Sequence, residues 1–249
     1  MLWLLACTDP TRCNGAIGLC EQPVDEVAFL RSHNSHASED RGYHLAAMNH
    51  YVAIPAQLEL GVRSLNIDVY LWQDELTACH GFCELGTQPF DEILNEISTF
   101  LDANPDETIL IDFQDEAPEG ALDAAFRDHL GARIHDQPVD EPWPTLGELR
   151  GRIIPAGPHV YGTGWQYDAP EDLDCAVQGE AREHGLYEVT HVLTNPIASP
   201  DNAEAINHQP VIGDHVGACL DEVGFINLLS VDYVTIGDAV EVVEALNAR

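Results

Sequence analysis

Apolar residues recur along the chain in two alternating patterns. Short continuous apolar runs are typical of buried strands, and apolar residues three and four positions apart are typical of amphipathic helices. The short runs predict strands at 27–31, 63–69, 76–79, 108–113, 152–156, 186–193 and 225–231. The helical spacing predicts helices at 54–60, 90–103, 119–130, 146–150, 170–184, 201–207, 211–223 and 238–247.

The segment 90–103 gives the clearest helical pattern. Its apolar residues follow the helical spacing, and Asp91 and Glu92 lie in the first turn, where acidic side chains stabilise a helix. Strands and helices alternate over the chain without a repeat or a linker, so we expect one α/β domain at 8–249 with a parallel sheet. The natural closed form of such a sheet is a single (β/α)8 TIM-type barrel, irregular in places and stabilised by disulfides.

Polar residues follow the predicted strands at the points where the strands end. Active sites of TIM-type barrels lie at the carboxyl ends of the strands, where the loops converge on one face. The residues in these positions are His33, Asn34, Asn66, Asp68, His80, Gln114 and Asp232. The pattern therefore predicts that these side chains converge on one pocket.

Charge limits the partners of this protein. The 249 residues include 43 acidic side chains, ten arginines and no lysine, which gives a formal net charge of −33. Such a surface disfavours nucleic acid and anionic membrane surfaces. The acidic residues are spread along the chain, which is typical of a solvated surface adapted to salt. An anionic substrate would need local positive charge from histidine, arginine or a bound cation.

The first seven residues indicate export. Residues 4–7 read Leu-Leu-Ala-Cys, which matches a bacterial lipobox, so we expect 1–7 to be the remnant of a truncated signal with a lipidated Cys7. The basic segment of a signal peptide is missing, and a chance apolar N-terminus is therefore the alternative. The expected location is outside the cytoplasm, secreted or lipid-anchored at the bacterial cell envelope. No apolar run approaches the roughly 18 residues that a membrane span needs.

Six further cysteines support export, because an even number in an exported protein indicates disulfides. We assign two local loops and one long-range link, namely Cys13–Cys20, Cys79–Cys83 and Cys175–Cys219. The alternative is a zinc site around Cys79, His80 and Cys83. No second Cys/His pair in the sequence has convincing zinc-ligand spacing.

Three short motifs, in this order, carry the candidate chemistry. They are Ser32-His33-Asn34, Gly61-x-Arg63-x-x-x-x-Asp68 and His80-Gly81. Together they resemble the catalytic X region of phosphatidylinositol-specific phospholipase C, and most nearly the bacterial phospholipase-C-like phosphodiesterases with an X domain. The resemblance extends through 79–86, 100–107 and 229–238, so it covers nearly the whole chain. It implies a TIM-type barrel, in agreement with the hydrophobic pattern.

The resemblance also implies phosphodiester cleavage by two histidines. His33 corresponds to the general base, which takes a proton from a hydroxyl beside the phosphodiester so that this oxygen attacks phosphorus and a cyclic phosphate forms. His80 corresponds to the general acid, which protonates the leaving oxygen, and the roles reverse to hydrolyse the cyclic product. Histidine suits both roles because its ordinary pKa, about 6.5, lies near neutral pH. Asp232 either accepts a hydrogen bond from His33 and fixes its tautomer, or is a structural, helix-capping carboxylate.

A divalent cation is a further implication of the resemblance. Metal-independent members have an arginine where this chain has Asp68, and calcium-dependent members have an aspartate. Asn34 matches a second calcium ligand, whereas Asn66 and Gln114 stand where glutamates are expected. Amide oxygens can bind calcium, but a site that has lost two charges should be weaker. We expect Ca²⁺, with Mg²⁺ or no metal as alternatives.

The expected substrate is a phospholipid or another small phosphodiester. We expect a monomer that contacts the membrane peripherally or through a lipid anchor. Few cationic side chains are available, so unphosphorylated phosphatidylinositol is expected rather than a polyphosphorylated form. Arg63 either contacts the phosphate or forms a salt bridge low in the barrel. Tyr161 and Trp165 either stack on a sugar or inositol ring or simply pack.

Two other functions are compatible with the sequence. Glycerophosphodiester phosphodiesterases and sphingomyelinase-D-like lyases also use two histidines, carboxylates and a divalent metal, but they usually carry a Glu-x-Asp pair that is here Asn66-x-Asp68. A non-catalytic barrel that only binds a phosphorylated head group would explain the lost ligand charge at Asn66 and Gln114. The retention of both His33 and His80 argues against this third reading.

Overall fold

The computed structural model describes residues 11–164, 167–195 and 197–249. The predicted signal remnant 1–7, with Cys7, and the predicted ring-binding Trp165 lie outside the described residues. The strands are β1 (Arg12–Cys13), β2 (Ala16–Ile17), β3 (Phe29–Ser32), β4 (Val62–Trp72), β5 (Glu75–Ala78), β6 (Gln88–Pro89), β7 (Ile109–Glu116), β8 (Ile153–Pro155), β9 (Val160–Gly162), β10 (Leu186–His191) and β11 (Leu228–Val231). The α-helices are α1 (Ile54–Glu59), α2 (Phe90–Ala103), α3 (Ala121–Leu130), α4 (Pro200–Ile206), α5 (Val211–Val223) and α6 (Ala239–Asn247).

Parallel strands form one curled sheet in the order β9–β10–β11–β3–β4–β7–β8. The register pairs Val231 with Ser32, Ser32 with Leu65, and Leu65 with Ile111, so the carboxyl ends of the central strands lie at one rim. Strands β5 and β6 extend antiparallel from the end of β4. The loop that follows β5 carries His80 to the same rim.

The sheet is open on one side. Within the described parts of the chain no strand pairing joins β8 to β9, so the sheet is a curled half-barrel rather than a closed ring. The predicted α/β class and parallel sheet are confirmed. A complete (β/α)8 barrel is not shown.

Alternation along β4 separates the core from the site. Leu65, Ile67 and Val69 are fully buried and belong to the main hydrophobic core between the sheet and the helices. Asn66 and Asp68 point to the opposite, inner face, because successive side chains of a strand alternate. The strand therefore anchors two polar side chains inside the curl by burying their neighbours outside it.

Helix α2 spans the predicted segment 90–103 and covers this outer face. Its buried residues are Phe90, Ile93, Leu94, Ile97, Phe100 and Leu101. Burial of each such side chain contributes about 1.5–3 kcal/mol to the free energy of folding. Inside the curl, a second apolar cluster fills the amino-terminal end of the strands, with Phe29, Leu110 and Leu228 among its members. The inner face is therefore apolar at the amino-terminal end of the strands and polar at the rim formed by their carboxyl ends.

Two predicted helices are wrong. Segment 146–150 forms turns, because the N–H of Leu146 donates to Gln22 and the N–H of Gly147 donates to Cys20 instead of continuing a helix. Segment 170–184 contains one short 3-10 turn at Pro170–Asp172 and is otherwise irregular. Its apolar residues Leu173, Cys175 and Val177 are two apart, which is not helical spacing, and most of its side chains are exposed. Strand β9 was not predicted.

All three predicted disulfides are present, Cys13–Cys20, Cys79–Cys83 and Cys175–Cys219. The alternative zinc site around His80 is thereby excluded in this state, because both of its cysteines are bonded to each other. None of the described helices is both long enough and apolar enough to cross a bilayer.

Candidate active site

The loop after β3 positions His33 and Asn34 at the rim. The N–H of His33 donates to Val231 O at 3.1 Å, and His50 Nε2 donates to His33 O at 2.7 Å. Asn34 takes a left-handed backbone conformation, with φ of 47°, which asparagine tolerates better than most residues. The N–H of Ser35 donates to Asn66 O at 2.8 Å. The motif is therefore tied to both neighbouring strands.

The side-chain amide of Asn34 joins the two predicted catalytic histidines. Its Nδ2 lies 3.2 Å from His33 Nε2 and 3.3 Å from His80 Nε2. An amide nitrogen only donates, so both Nε2 atoms accept. His80 Nδ1 then donates to Ala47 O at 3.2 Å, and His33 Nδ1 donates to Asp232 Oδ1 at 3.0 Å. Both rings thus present an unprotonated Nε2 toward the same amide.

Asp232 fixes the tautomer of His33, as one of its two predicted roles requires. The carboxylate is buried, and Asn49 Nδ2 also donates to it at 2.8 Å. Burial opposes the charged form of His33, but the charge and hydrogen bond of Asp232, together with the charges of Asp68 and Glu188, outweigh it, so the pKa of His33 is raised above its ordinary value. Burial and the proximity of His33 lower the pKa of His80. The two histidines are therefore electrostatically unequal.

A cavity of about 640 Å³ lies over these groups. It collects the predicted residues His33, Asn34, Asn66, Asp68, His80 and Gln114. Asp232 lies behind His33. The sequence prediction of one convergent polar pocket is confirmed for these residues.

Arg63 is not in this cavity, and its predicted phosphate contact is wrong. It lies on the outer face of β4, one residue out of phase with the inward-facing positions. Its Nε donates to Glu107 Oε2 at 2.6 Å, and its guanidinium lies 4.8 Å from the centre of the Phe100 ring. The alternative prediction, a salt bridge away from the site, is the correct one.

Tyr161 is also absent from the described lining of the cavity. Its ring packs edge-on against Tyr187, with centroids 5.5 Å apart. The packing alternative is therefore correct for Tyr161, and the ring-stacking prediction is wrong.

An ion cluster that was not predicted from the sequence lies on the floor of the cavity. Arg31 Nη2 donates to Asp112 Oδ2 at 2.5 Å, and Arg31 Nε lies 3.3 Å from Glu188 Oε1. Arg31 is buried, and all three residues line the cavity. The signal was available: Arg31 interrupts an apolar run two residues before His33, which places both on one face of the strand.

The oxygen atoms around Asp68 fit a hard divalent cation. Asp68 is buried, and none of the described residues donates a hydrogen bond to its carboxylate. Burial is the main reason that the pKa of Asp68 rises to about 6, and the carboxylates of Glu116 and Asp112 add to it. Asn34 donates through its nitrogen, so its Oδ1 is free to bind a cation. A buried carboxylate without a hydrogen-bond donor, among amide oxygens, is donor chemistry that calcium accepts.

The other two predicted ligands differ in availability. Asn66 Oδ1 already accepts from the N–H of Asn34 at 3.1 Å, which uses one of its lone pairs. Gln114 lies directly opposite Asp68 in the register of β4 and β7, and its side chain is exposed at the rim. Glu116, two residues further along the same face, does not line the cavity, but its charge acts on Asp68. Glu116 was not predicted from the sequence.

Comparison with known proteins assigns the chain to a family. The family model for the PI-PLC X domain matches residues 19–153, just over half of the chain. The chain belongs to the PI-PLC X family. The match includes β3, β4 and β7 with both histidines, and it ends before Asp232. The resemblance stated from the motifs is therefore confirmed.

Known proteins resemble this PI-PLC X chain at low sequence identity. A PI-PLC X domain-containing protein of Arabidopsis thaliana is 29% identical over 145 residues, which are 51% of this chain and 34% of the relative. The match thus spans about a third of that relative. A structure of phosphatidylinositol-specific phospholipase C from S. aureus has a TM-score of 0.63 at 14% identity, covering 91% of this chain and 94% of the other. The enzyme of Listeria monocytogenes gives 0.57 at 16%, covering 86% and 90%.

Proposed function

We propose that this protein cleaves the phosphodiester of a phosphatidylinositol-like phospholipid by two-histidine acid–base catalysis. The observation that carries the proposal is the shared Asn34 amide, which aims both histidine Nε2 atoms into one cavity while Asp232 supports His33 alone. A base and an acid beside one phosphate are the minimum that the reaction needs.

The reaction needs one added proton on His80, while His33 keeps the tautomer that Asp232 fixes. His33 Nε2 takes the proton of a hydroxyl adjacent to the phosphate, and its Nδ1–H stays on Asp232. The freed oxygen forms a bond to phosphorus, the bond from phosphorus to the glycerol oxygen breaks, and protonated His80 delivers a proton to that oxygen. The products are a cyclic phosphate and diacylglycerol. Reversal of the two roles with water opens the ring.

We propose that Asp68, Asn34 and Gln114, with Asn66 and Glu116 beside them, hold a calcium ion. The bound ion would supply positive charge next to the phosphate, where negative charge accumulates during attack. The support is the unpaired Asp68 carboxylate and the all-oxygen donor set. Magnesium is the alternative occupant.

Calcium dependence is the first expected result. Phosphorus NMR of the protein with phosphatidylinositol micelles, above the pKa of Asp68, should show a cyclic inositol phosphate with calcium and none with EDTA. Asp68→Asn should lower the calcium-supported rate by about 10²-fold, because it removes the buried charge that holds the ion. The exposed Asp128→Asn variant is the control and should match the wild type.

Three results would change this assignment. Equal amounts of product with calcium and with EDTA would show that the reaction does not depend on a metal ion. Product only from glycerol phosphodiesters or sphingomyelin would favour the related barrel enzymes. No product from any phosphodiester would favour the head-group-binding barrel.

Head-group selectivity is a second expected result. The cavity floor places one arginine between two carboxylates, Asp112 and Glu188, so it favours ring hydroxyls, which donate, over ring phosphates, which are repelled. Phosphatidylinositol should exceed its bisphosphate in kcat/KM by about tenfold or more. Glu188→Gln should bring the kcat/KM values of the two substrates closer together, whereas the exposed Glu119→Gln should leave their ratio unchanged. Preferential cleavage of the bisphosphate by the wild type would contradict the proposal.

Exposed apolar side chains at the cavity mouth support a phospholipid substrate. Phe82 is 73% exposed, Leu45 58% and Ile197 39%. Ile197 lines the cavity, and Gly81 and Ala46, which also line it, are the chain neighbours of Phe82 and Leu45. We propose that these residues make the peripheral contact with the membrane. The three disulfides support an exported protein, secreted or lipid-anchored, since disulfides persist in oxidising compartments.

A further inference from the structure

A second cluster of reactive side chains lies outside the catalytic cavity, behind β10. Cys175 lies in the irregular segment before β10, His191 ends that strand, and His215 and Cys219 are one turn apart on α5. All four are buried. The sulfur atoms of Cys175 and Cys219 and a ring nitrogen of His215 lie within 4.8 Å of one another. These four residues are called the Cys–His cluster.

The hydrogen bonds of the two histidines do not balance. His191 Nε2 contacts Ile206 O at 3.0 Å, His215 Nε2 contacts Asp174 O at 3.0 Å, and the two Nδ1 atoms are 2.8 Å apart. Three such contacts need three N–H groups, and two neutral imidazoles have two. A third proton would create a buried imidazolium, which burial disfavours.

One arrangement of neutral rings leaves a single mismatch next to the cysteines. His191 Nε2–H donates to Ile206 O, and His215 Nδ1–H donates to His191 Nδ1. The lone pair of His215 Nε2 then faces the Asp174 carbonyl oxygen, which Cys219 Sγ approaches at 4.0 Å. One point is therefore surrounded by a nitrogen lone pair, a carbonyl oxygen and two sulfur atoms. Such a set of electron-pair donors is typical of a metal site.

We propose that Cys175, Cys219 and His215 form a zinc site that opens when the Cys175–Cys219 disulfide is reduced. His191 is the positioning residue, because a metal-binding histidine usually donates its other N–H to a fixed acceptor. The Asp174 carbonyl or a water completes four ligands, and thiolate with imidazole is the ligand set that zinc prefers.

The chemistry balances with a dithiol as the reductant. The dithiol gives two electrons and two protons to the Cys175–Cys219 bond and is itself oxidised to a disulfide. Zinc binding then releases the two thiol protons to solvent, because the metal binds thiolates. In the reverse direction, a disulfide oxidant would accept the two electrons and two protons from solvent and become two thiols, which would expel the metal and restore the Cys175–Cys219 bond.

The other two disulfides lack these features. Arg150 places its guanidinium beside Cys13 Sγ and Cys20 Sγ, at 3.3 and 3.1 Å, and this positive charge opposes a metal cation. His80, next to Cys79, is committed to Ala47 and Asn34. Among the described residues, neither pair belongs to a group of three potential metal ligands. Both pairs therefore serve as internal controls.

Cobalt binding to the reduced full-length chain tests the proposal. After anaerobic reduction with a phosphine, which does not compete for metal as a dithiol does, one Co²⁺ per chain should give tetrahedral d–d and thiolate charge-transfer bands that Zn²⁺ removes. Cys219→Ser and His215→Gln should abolish the bands. His191→Gln should weaken affinity by about 10–100-fold. Cys83→Ser should leave binding unchanged.

Alkylation of the reduced wild type provides a test that needs no variant. Zinc should protect Cys175 and Cys219 from iodoacetamide, read by peptide mass spectrometry, and should leave Cys13 and Cys20 reactive. Absence of cobalt bands from the reduced wild type, or equal protection of the six cysteines that form the three disulfides, would overturn the proposal. Bands that persist in both Cys219→Ser and His215→Gln would do the same.

Discussion

Replacing either His33 or His80 with alanine should lower turnover by about 10²–10⁴-fold while the fold stays intact. Each histidine presents one unprotonated Nε2 to the cavity, and no other described lining residue is an imidazole. Removal of His33 takes away the proton acceptor, and removal of His80 takes away the donor to the leaving oxygen. The measurement is the initial rate of cyclic phosphate formation, with far-UV circular dichroism and thermal melting to verify folding.

Controls separate this effect from a general loss of histidine. His129 is exposed and contacts only the surface residue Asn95 among the described hydrogen bonds, so His129→Ala should keep the wild-type rate. The double variant of His33 and His80 should be little worse than either single variant, because residues that act as one unit are not additive. Substantial activity in either single variant would remove the acid–base assignment.

Local pattern was sufficient for most elements of the fold. The apolar run before the Ser-His-Asn motif became β3, and the periodic segment 90–103 became α2 with the same bounds. The helix predicted at 170–184 is wrong, although the composition of this segment is compatible with a helix. Its apolar residues are two apart, and a disulfide fixes Cys175 to a residue 44 positions away in sequence. A closed barrel is not shown, because no pairing joins β8 to β9 among the described residues, and a local hydrophobic pattern does not report strand pairing.

The site was predictable where a motif marked it. His33, Asn34, Asp68 and His80 were found from short motifs at strand ends, and the structure brings them together. Arg31 was missed because a lone charge in an apolar run looks like an interruption of the strand.

The partners of misassigned residues are far away in sequence. Glu107, which pairs with Arg63, is 44 positions away, and the contact depends on which face of β4 each side chain occupies. A single sequence does not show that pairing. The same limit applies to His191 and His215, 24 positions apart, whose conflict in hydrogen bonding exists only in three dimensions.

Asp232→Asn should reduce kcat/KM by about 10²–10⁴-fold, although it changes few atoms. The asparagine amide would donate to His33 Nδ1, which moves the ring proton to Nε2. That atom faces the donor Nδ2 of Asn34 and the substrate hydroxyl, so it would lose its ability to accept a proton. The loss therefore comes from the wrong tautomer, and the exposed Asp221→Asn variant should show none of it.

The pH dependence of the residual activity of Asp232→Asn should also change. The singly protonated pair holds its proton mainly on His33, whose pKa the Asp232 carboxylate raises against the opposing effect of burial, and the reactive microstate is the one with that proton on His80. That proton is lost as the pH rises through the pKa of His33. Without the carboxylate this pKa falls, so the alkaline limb of the bell-shaped kcat/KM profile should move to lower pH. The acid limb, which reports protonation of His80, should move little. An unchanged alkaline limb and a near-normal rate in Asp232→Asn would show that Asp232 is a structural carboxylate and does not fix the tautomer of His33.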